Sequence, residues 1–328
     1  MCTSIALRNE RFYFGRNMDI DFSFNEKIVI TPRNYRFGFR RTGGIDRHYS
    51  MIGMASVSEN YPLYAEAVNE CGLAMAGLNF PGNAVYSETF REGVANISQF
   101  ELIPWVLGQC DSVVHAKRLL LQTHIVGVPF SDDIPLAPLH WHIADGSAST
   151  VLEVMSDGIH VYDNPADVLT NNPPFEFHLY NLAQYVNLSV KVPESCLDGA
   201  ALLFGKGLGS FGLPGDFSPA SRFVKAAYLL KNSVCGKSEY ENICQLFHLL
   251  DSVAVTCGSM PSEEYRTVYS CCMSDRGVYY LKGYYSAEIS AVDMFSEELD
   301  GDELIIFEFP ENRQVNFING QRKTPADY

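Results

Sequence analysis

The chain is short of positive charge: 24 Lys and Arg stand against 39 Asp and Glu among 328 residues, a net charge of −15. It holds no basic run and no RNA-recognition signature, which argues against nucleic acid as a partner. The acidic balance favours solubility and gives no long-range attraction to an anionic substrate, so any anion must be held by local donors. Apolar runs are short. None reaches the ~18 residues of a membrane span. A charge arrives by Arg8 with no apolar segment before it, so neither membrane insertion nor a secretory signal is expected. The nine cysteines, at 2, 71, 110, 196, 235, 244, 257, 271 and 272, form no C-x-x-C pair and are odd in number. They read as reduced, mostly buried thiols of a cytoplasmic protein, not as a disulfide frame. Gly205–Gly209 is glycine-rich but lacks the P-loop spacing and has no hydroxyl after Lys206, so a nucleotide site is rejected. His140 and His142 share one face of an expected strand without an acidic or Cys partner nearby. They read as a core or surface pair and not as metal ligands. No cofactor is expected. Repeats, low-complexity tracts and linkers are also missing, so residues 1–328 read as one domain.

What the chain does have is apolar mass, 47% hydrophobic and 12% aromatic, enough for a sizeable core. Residues 2–8 and 11–18 read as two strands joined at Asn9-Glu10. Ser98 and Glu101 form a capping-box pattern opening a helix to about Gln109, which Pro104 would shorten or kink. Residues 112–122 make a second helix. Strands are expected at Leu139–Ala144, Thr150–Met155 and Ile159–Tyr162, with Asp145-Gly146 and Asp157-Gly158 as turns. Ser218-Pro219 caps a helix to about Leu230, and Ser238 with Glu241 caps another through Leu250. Late strands fall at Thr267–Met273, Val278–Leu281 and Leu304–Phe309. The tyrosines at 279, 280, 284 and 285 read as sheet packing. Strands at both ends with helices between predict an α+β fold of two stacked antiparallel sheets covered by helices.

The position of one cysteine carries the most information. Cys2 follows the initiator Met1, and methionine removal is expected before so small a side chain. The chain would then begin with a thiol of pKa ~8.5 beside an α-amine of ~7.7–8.0, a nucleophile with its own general base. Pairing about Asn9-Glu10 sets residues summing to 19 opposite each other. Cys2 would face Asn17, with Arg16 and Asp19 close by. These two have opposite parity, so the strand is expected to bend or end near Met18 if both are to reach Cys2.

Two asparagine segments also stand out. Asn79 lies between Gly77 and Pro81-Gly82 and is expected in a loop presenting an N–H. Asn171-Asn172 precedes Pro173-Pro174, which biases Asn172 away from helix. Such groups can form an oxyanion hole; by themselves they read as ordinary Asn turns. Arg222 falls in the first turn of its helix, where a cation opposes the macrodipole, so it calls for a carboxylate partner or a role, with solvation as the default.

Together, Met1-Cys2-Thr3, Phe14–Asp19, Ala76–Pro81, Leu169–Asn171, Leu213–Asp216 and Pro219–Phe223 resemble the choloylglycine hydrolase family, in order and spacing its bile salt hydrolase branch. The resemblance implies the four-layer αββα sandwich of N-terminal nucleophile hydrolases. It implies Cys2 as nucleophile with its α-amine as base, Asp19 holding that amine and Arg16 tuning the thiol. The Asn79 N–H and the Asn171 side chain would bind the oxyanion, with Arg222 in support. Asn79 tilts the resemblance toward bile salts, because penicillin V acylases of the family tend to carry Tyr there. Met18, Ala65, Phe130 and Ile134 would bear the steroid. The implied substrates are glycine- and taurine-conjugated bile salts, the implied assembly a homotetramer, and the alternative a penicillin V or related acylase.

Overall fold

A computed structural model of the chain describes residues 1–192, 206–286 and 288–309; Cys196 and Gly205 lie outside them. Two antiparallel sheets form the centre. The first runs β12 (Val168–Leu169), β1 (Cys2–Arg8), β2 (Phe12–Ile20), β13 (Arg266–Ser274), β14 (Val278–Gly283) and β15 (Ser290–Asp293). The second runs β11 (Gly158–Asp163), β10 (Ser149–Met155), β9 (Leu139–Ala144), β6 (Ala74–Asn79), β5 (Tyr61–Asn69), β4 (Met51–Ser58), β3 (Lys27–Thr31) and β16 (Ile305–Glu308). A short parallel pair, β7 (Ala95–Ser98) and β8 (Thr123–Val126), lies apart.

The helices cover both outer faces. On the first sheet lie α3 (Phe175–Leu182), α4 (Pro219–Lys231) and α5 (Glu239–Asp251). On the second lie α1 (Leu102–Leu107) and α2 (Val113–Leu121). One apolar cluster joins Phe14, Ile30, Met54 and Leu78 between the sheets and continues through Ile5, on the face shared with Gly15, to Leu246 and Leu250 of α5. A second joins Met75, Trp141, Trp105 and Leu107 beneath α1. The layers are therefore α, β, β, α, as expected.

The expected caps are made. Ser218 Oγ accepts from Ser221 N–H at 3.3 Å ahead of Pro219. Ser238 and Glu241 form a complete capping box. So do Ser98 and Glu101, but there the first turn is a 3₁₀ helix and α1 ends at Leu107. Helix α5 comes so close to β2 that a Cβ on Gly15 would lie 2.9 Å from Leu246 Cδ2. A side chain at this position would have to displace Leu246 and Leu250.

The first hairpin differs from expectation by one residue. Cys2 pairs with Met18 and Arg8 with Phe12, so Asn9, Glu10 and Arg11 make a three-residue connection. Asn9 closes it on both sides: its N–H donates to Arg11 C=O at 3.0 Å and its Oδ1 accepts from Arg11 N–H at 2.8 Å. These bonds take Arg11 out of the ladder. Strand β2 also continues to Ile20 and does not end near Met18, where its pairing with β13 shifts register.

Candidate active site

Cys2 opens β1 between β12 and β2 and is 3% exposed. The corrected register explains its surroundings. Met18 lies opposite Cys2, and Arg16, two residues back, shares that face. Arg16 Nη2 stands 3.1 Å from Cys2 Sγ and 3.4 Å from Met18 Sδ. Its Nη1 donates to Ala65 C=O at 2.9 Å and to Glu66 Oε2 at 2.6 Å. Both acceptors belong to a bulge: Met54 pairs with Glu66 and Ala55 with Tyr64, leaving Ala65 unpaired in β5. Bulges of this kind re-aim groups beside sites.

On the other edge, Ser4 pairs with Leu169, and two more residues bring Asn171 alongside Cys2. Asn171 Oδ1 accepts from Cys2 N–H at 2.9 Å and from Arg222 Nη2 at 2.8 Å. Its Nδ2 donates to Asn79 C=O at 2.7 Å, leaving its second N–H available. Arg222 also donates to Cys2 C=O and Thr3 Oγ1, each at 2.6 Å, and to Phe217 C=O at 3.0 Å. Its carboxylate partner is Asp19, 3.9 Å away. That buried ion pair and these acceptors offset the unfavourable helix-start position.

Asp19 lies on the β2 face opposite Arg16 and accepts from Thr267 Oγ1 at 2.6 Å. Thr267 stands at a second bulge, where Val268 is the extra residue of β13. The chain's first amine, on Met1, donates to Asp19 C=O at 2.7 Å and to the Tyr265 hydroxyl. Burial pushes the Cys2 thiol up, but Arg16 and the nearby N-terminal charge pull it down further, so the thiol is more acidic than an ordinary cysteine. Burial also raises the Asp19 carboxyl, against the pull of Arg222 and the Thr267 hydrogen bond.

A sequence model of linear amide C–N hydrolases, choloylglycine hydrolase family, matches residues 2–307. The chain belongs to that family. Its relatives include the bile salt hydrolase/transferase of Lactiplantibacillus plantarum, 42% identical over 97% of this chain and 100% of that one. A crystal structure of a variant conjugated bile acid hydrolase from Clostridium perfringens superposes with a TM-score of 0.88 at 38% identity, covering 97% of this chain and 100% of that one. Penicillin V acylase from Agrobacterium tumefaciens shares the fold, with a TM-score of 0.74 at 19% identity over 94% of this chain and 91% of that one. The N-terminal nucleophile hydrolase architecture is thus the fold of this family member.

Six residues singled out in the sequence converge: Cys2, Arg16, Asp19, Asn79, Asn171 and Arg222 are linked by the contacts above. One needs correction. Asn79 is the last residue of β6, paired with Leu139, and not part of a loop. Of the four expected steroid contacts, Met18 and Ala65 border the Arg16–Cys2 pair. Phe130 packs on Phe100 and Tyr61, with Arg40 over its ring, and Ile134 closes a turn with Ser131. Neither makes a hydrogen bond or ring contact to Cys2 among the described residues. A cavity of about 770 Å³ lined by Asp21, Arg266 and Tyr284 is likewise not lined by Cys2.

His140 and His142 are wholly buried core residues. His140 bonds Glu153 and Thr170 C=O, each at 3.0 Å, and His142 bonds Ser4 and Ser149. Among the described residues no group of three His, Cys, Asp or Glu side chains could hold a metal. No described helix is long and apolar enough to cross a membrane. The sequence reading missed Glu66, Tyr265, Thr267 and Tyr269, and took Tyr279 for packing alone. A signal for Glu66 was present: one acid inside the apolar run Ala65–Val68, where an exposed side chain would be out of place.

Proposed function

We propose that the chain hydrolyses the amide bond of glycine- or taurine-conjugated bile salts through Cys2 at the start of a chain from which Met1 has been removed. The 3.1 Å approach of Arg16 to the Cys2 sulfur carries this reading. A buried cation on a thiol is the arrangement that yields a nucleophile at neutral pH. Removing Met1 converts the Cys2 amide N–H, now bonded to Asn171, into an α-amine in the same place.

The thiolate attacks the amide carbonyl and a C–S bond forms. The oxyanion takes hydrogen bonds from the free N–H of Asn171 and from the Asn79 backbone. The α-ammonium gives its proton to the departing glycine or taurine nitrogen as the C–N bond breaks. Water, losing a proton to the same amine, then cleaves the thioester and releases the bile acid. Asp19 and Arg222 hold the first residue in place, and Met18 and Ala65 offer apolar surface beside the sulfur.

The same proposal places the protein in a reducing cytoplasm and in a homotetramer. Supporting the first, each described cysteine is unpaired. Supporting the second, Tyr180, Val186, Val190 and Phe211 leave apolar side chains exposed. The test is turnover of glycocholate, taurocholate and penicillin V by the wild-type chain and by Cys2→Ala. Conjugated bile salts are expected to be cleaved far faster than penicillin V, and Cys2→Ala to cleave neither. Retained turnover by Cys2→Ala, or preference for penicillin V, would overturn the reading.

A further inference from the structure

Glu66 is a carboxylate in the centre of the sandwich with no access to solvent. It projects from β5 of one sheet onto β2, β13 and β14 of the other. Four groups converge on it: Arg16 Nη1 at 2.6 Å, Tyr269 Oη at 2.9 and 3.1 Å, Tyr279 Oη at 2.7 Å and Cys271 Sγ at 3.6 Å. Stability alone does not account for such a cluster, since a buried ion pair is often no better than hydrocarbon of the same volume. Its position does. Arg16 is a two-armed bridge, with one amino group on Glu66 and the other on the Cys2 sulfur.

We propose that Glu66 is a positioning residue: it aims the Arg16 guanidinium at the Cys2 sulfur and, by sharing that positive charge, limits how strongly Arg16 acidifies the thiol. The inference rests on the reading of Cys2 as nucleophile. A thiolate stabilised too strongly is abundant but a poor attacker, because nucleophilicity falls with pKa. A carboxylate on the far arm of the arginine keeps the thiol between these extremes. Tyr269 and Tyr279 complete the device. Burial, reinforced by Glu66, keeps both hydroxyls protonated, so they act as donors that spread the Glu66 charge. The other charged or titratable groups near the Cys2–Arg16 pair are Asp19 and Arg222, on the opposite face of β2, with Tyr265 and the terminal amine beside them. None of them bonds the Arg16 guanidinium.

The test is Glu66→Gln. Glutamine keeps the shape and an oxygen for Arg16, while the tyrosine hydroxyls can turn to accept from its amide. The readout is the pH dependence of iodoacetamide alkylation at Cys2, followed on the N-terminal peptide so that other cysteines do not interfere. The expected result is a fall of about one pH unit in the midpoint, with a matching fall in the acid limb of kcat/KM. Tyr279→Phe, which removes one donor from Glu66, is expected to raise the midpoint by a few tenths. If Glu66→Gln fails to fold, Tyr279→Phe decides alone. An unchanged midpoint in the folded variants, or shifts of the opposite sign, would overturn the inference. Alkylation needs no substrate, so a chain that alkylates as expected yet cleaves no bile salt refutes the functional reading and leaves the Glu66 inference standing.

Discussion

At the scale of single residues, a few side chains of the candidate site each make several contacts. Asn171 ties Cys2, Arg222 and Asn79 together through one amide side chain. Asn171→Ala is expected to lower kcat on glycocholate by about 10²–10³, the usual effect of one lost oxyanion donor. A loss below tenfold in steady-state assays would remove it from that role. Arg16→Leu takes the cation from the sulfur and leaves burial, which raises the thiol pKa, unopposed on that side. The pH midpoint of Cys2 alkylation should therefore rise by at least one unit; an unchanged midpoint would mean that the 3.1 Å contact has no electrostatic effect. All six convergent residues sat within short segments that stood out in the sequence itself. Glu66 could not be read that way, because its partners Arg16, Tyr269 and Tyr279 lie 50 to 213 residues away in sequence.

At the scale of elements, two bulges shape the site, at Ala65 and at Val268. The first depends on a neighbour without a side chain. A Cβ on Gly53 would lie 2.0 Å from Glu66 C=O and 2.7 Å from Ala67 Cα, backbone atoms that cannot yield. Gly53→Ala is expected to cost about 1–3 kcal/mol or more, while Gly38→Ala, with nothing within 4 Å, should be nearly neutral. Urea denaturation of the two variants checks this. Element legibility followed burial. Helices α4 and α5 announced themselves through Ser caps, and β9–β11 through turn signals. Strands β3, β4 and β6 gave no alternation because both faces are largely covered. The first hairpin was recognised, but its register was set by Asn9 bonding Arg11, a local competition that composition does not reveal.

At the scale of the whole molecule, the sandwich is stapled by buried polar groups, and these give it a pH limit. Burial, helped by Arg8 and His140, holds His142 down to about 3. Its ordinary value is 6.5. Between these values the unfolded chain takes up a proton that the native fold refuses. The stability due to neutral His142 is therefore complete above pH 6.5 and is lost as pH falls toward 3. The loss is on the order of 5 kcal/mol. Urea midpoints should drop across that window, and His142→Gln should flatten the slope; equal slopes would refute the assignment.

The central claim is that the protein works from the sulfur and nitrogen of Cys2 once Met1 is gone. The most direct test is intact mass and glycocholate hydrolysis measured on the same preparations, spanning different degrees of Met1 removal. The account predicts that the rate rises in proportion to the fraction of chains beginning at Cys2. Full turnover by chains that keep Met1 would contradict it.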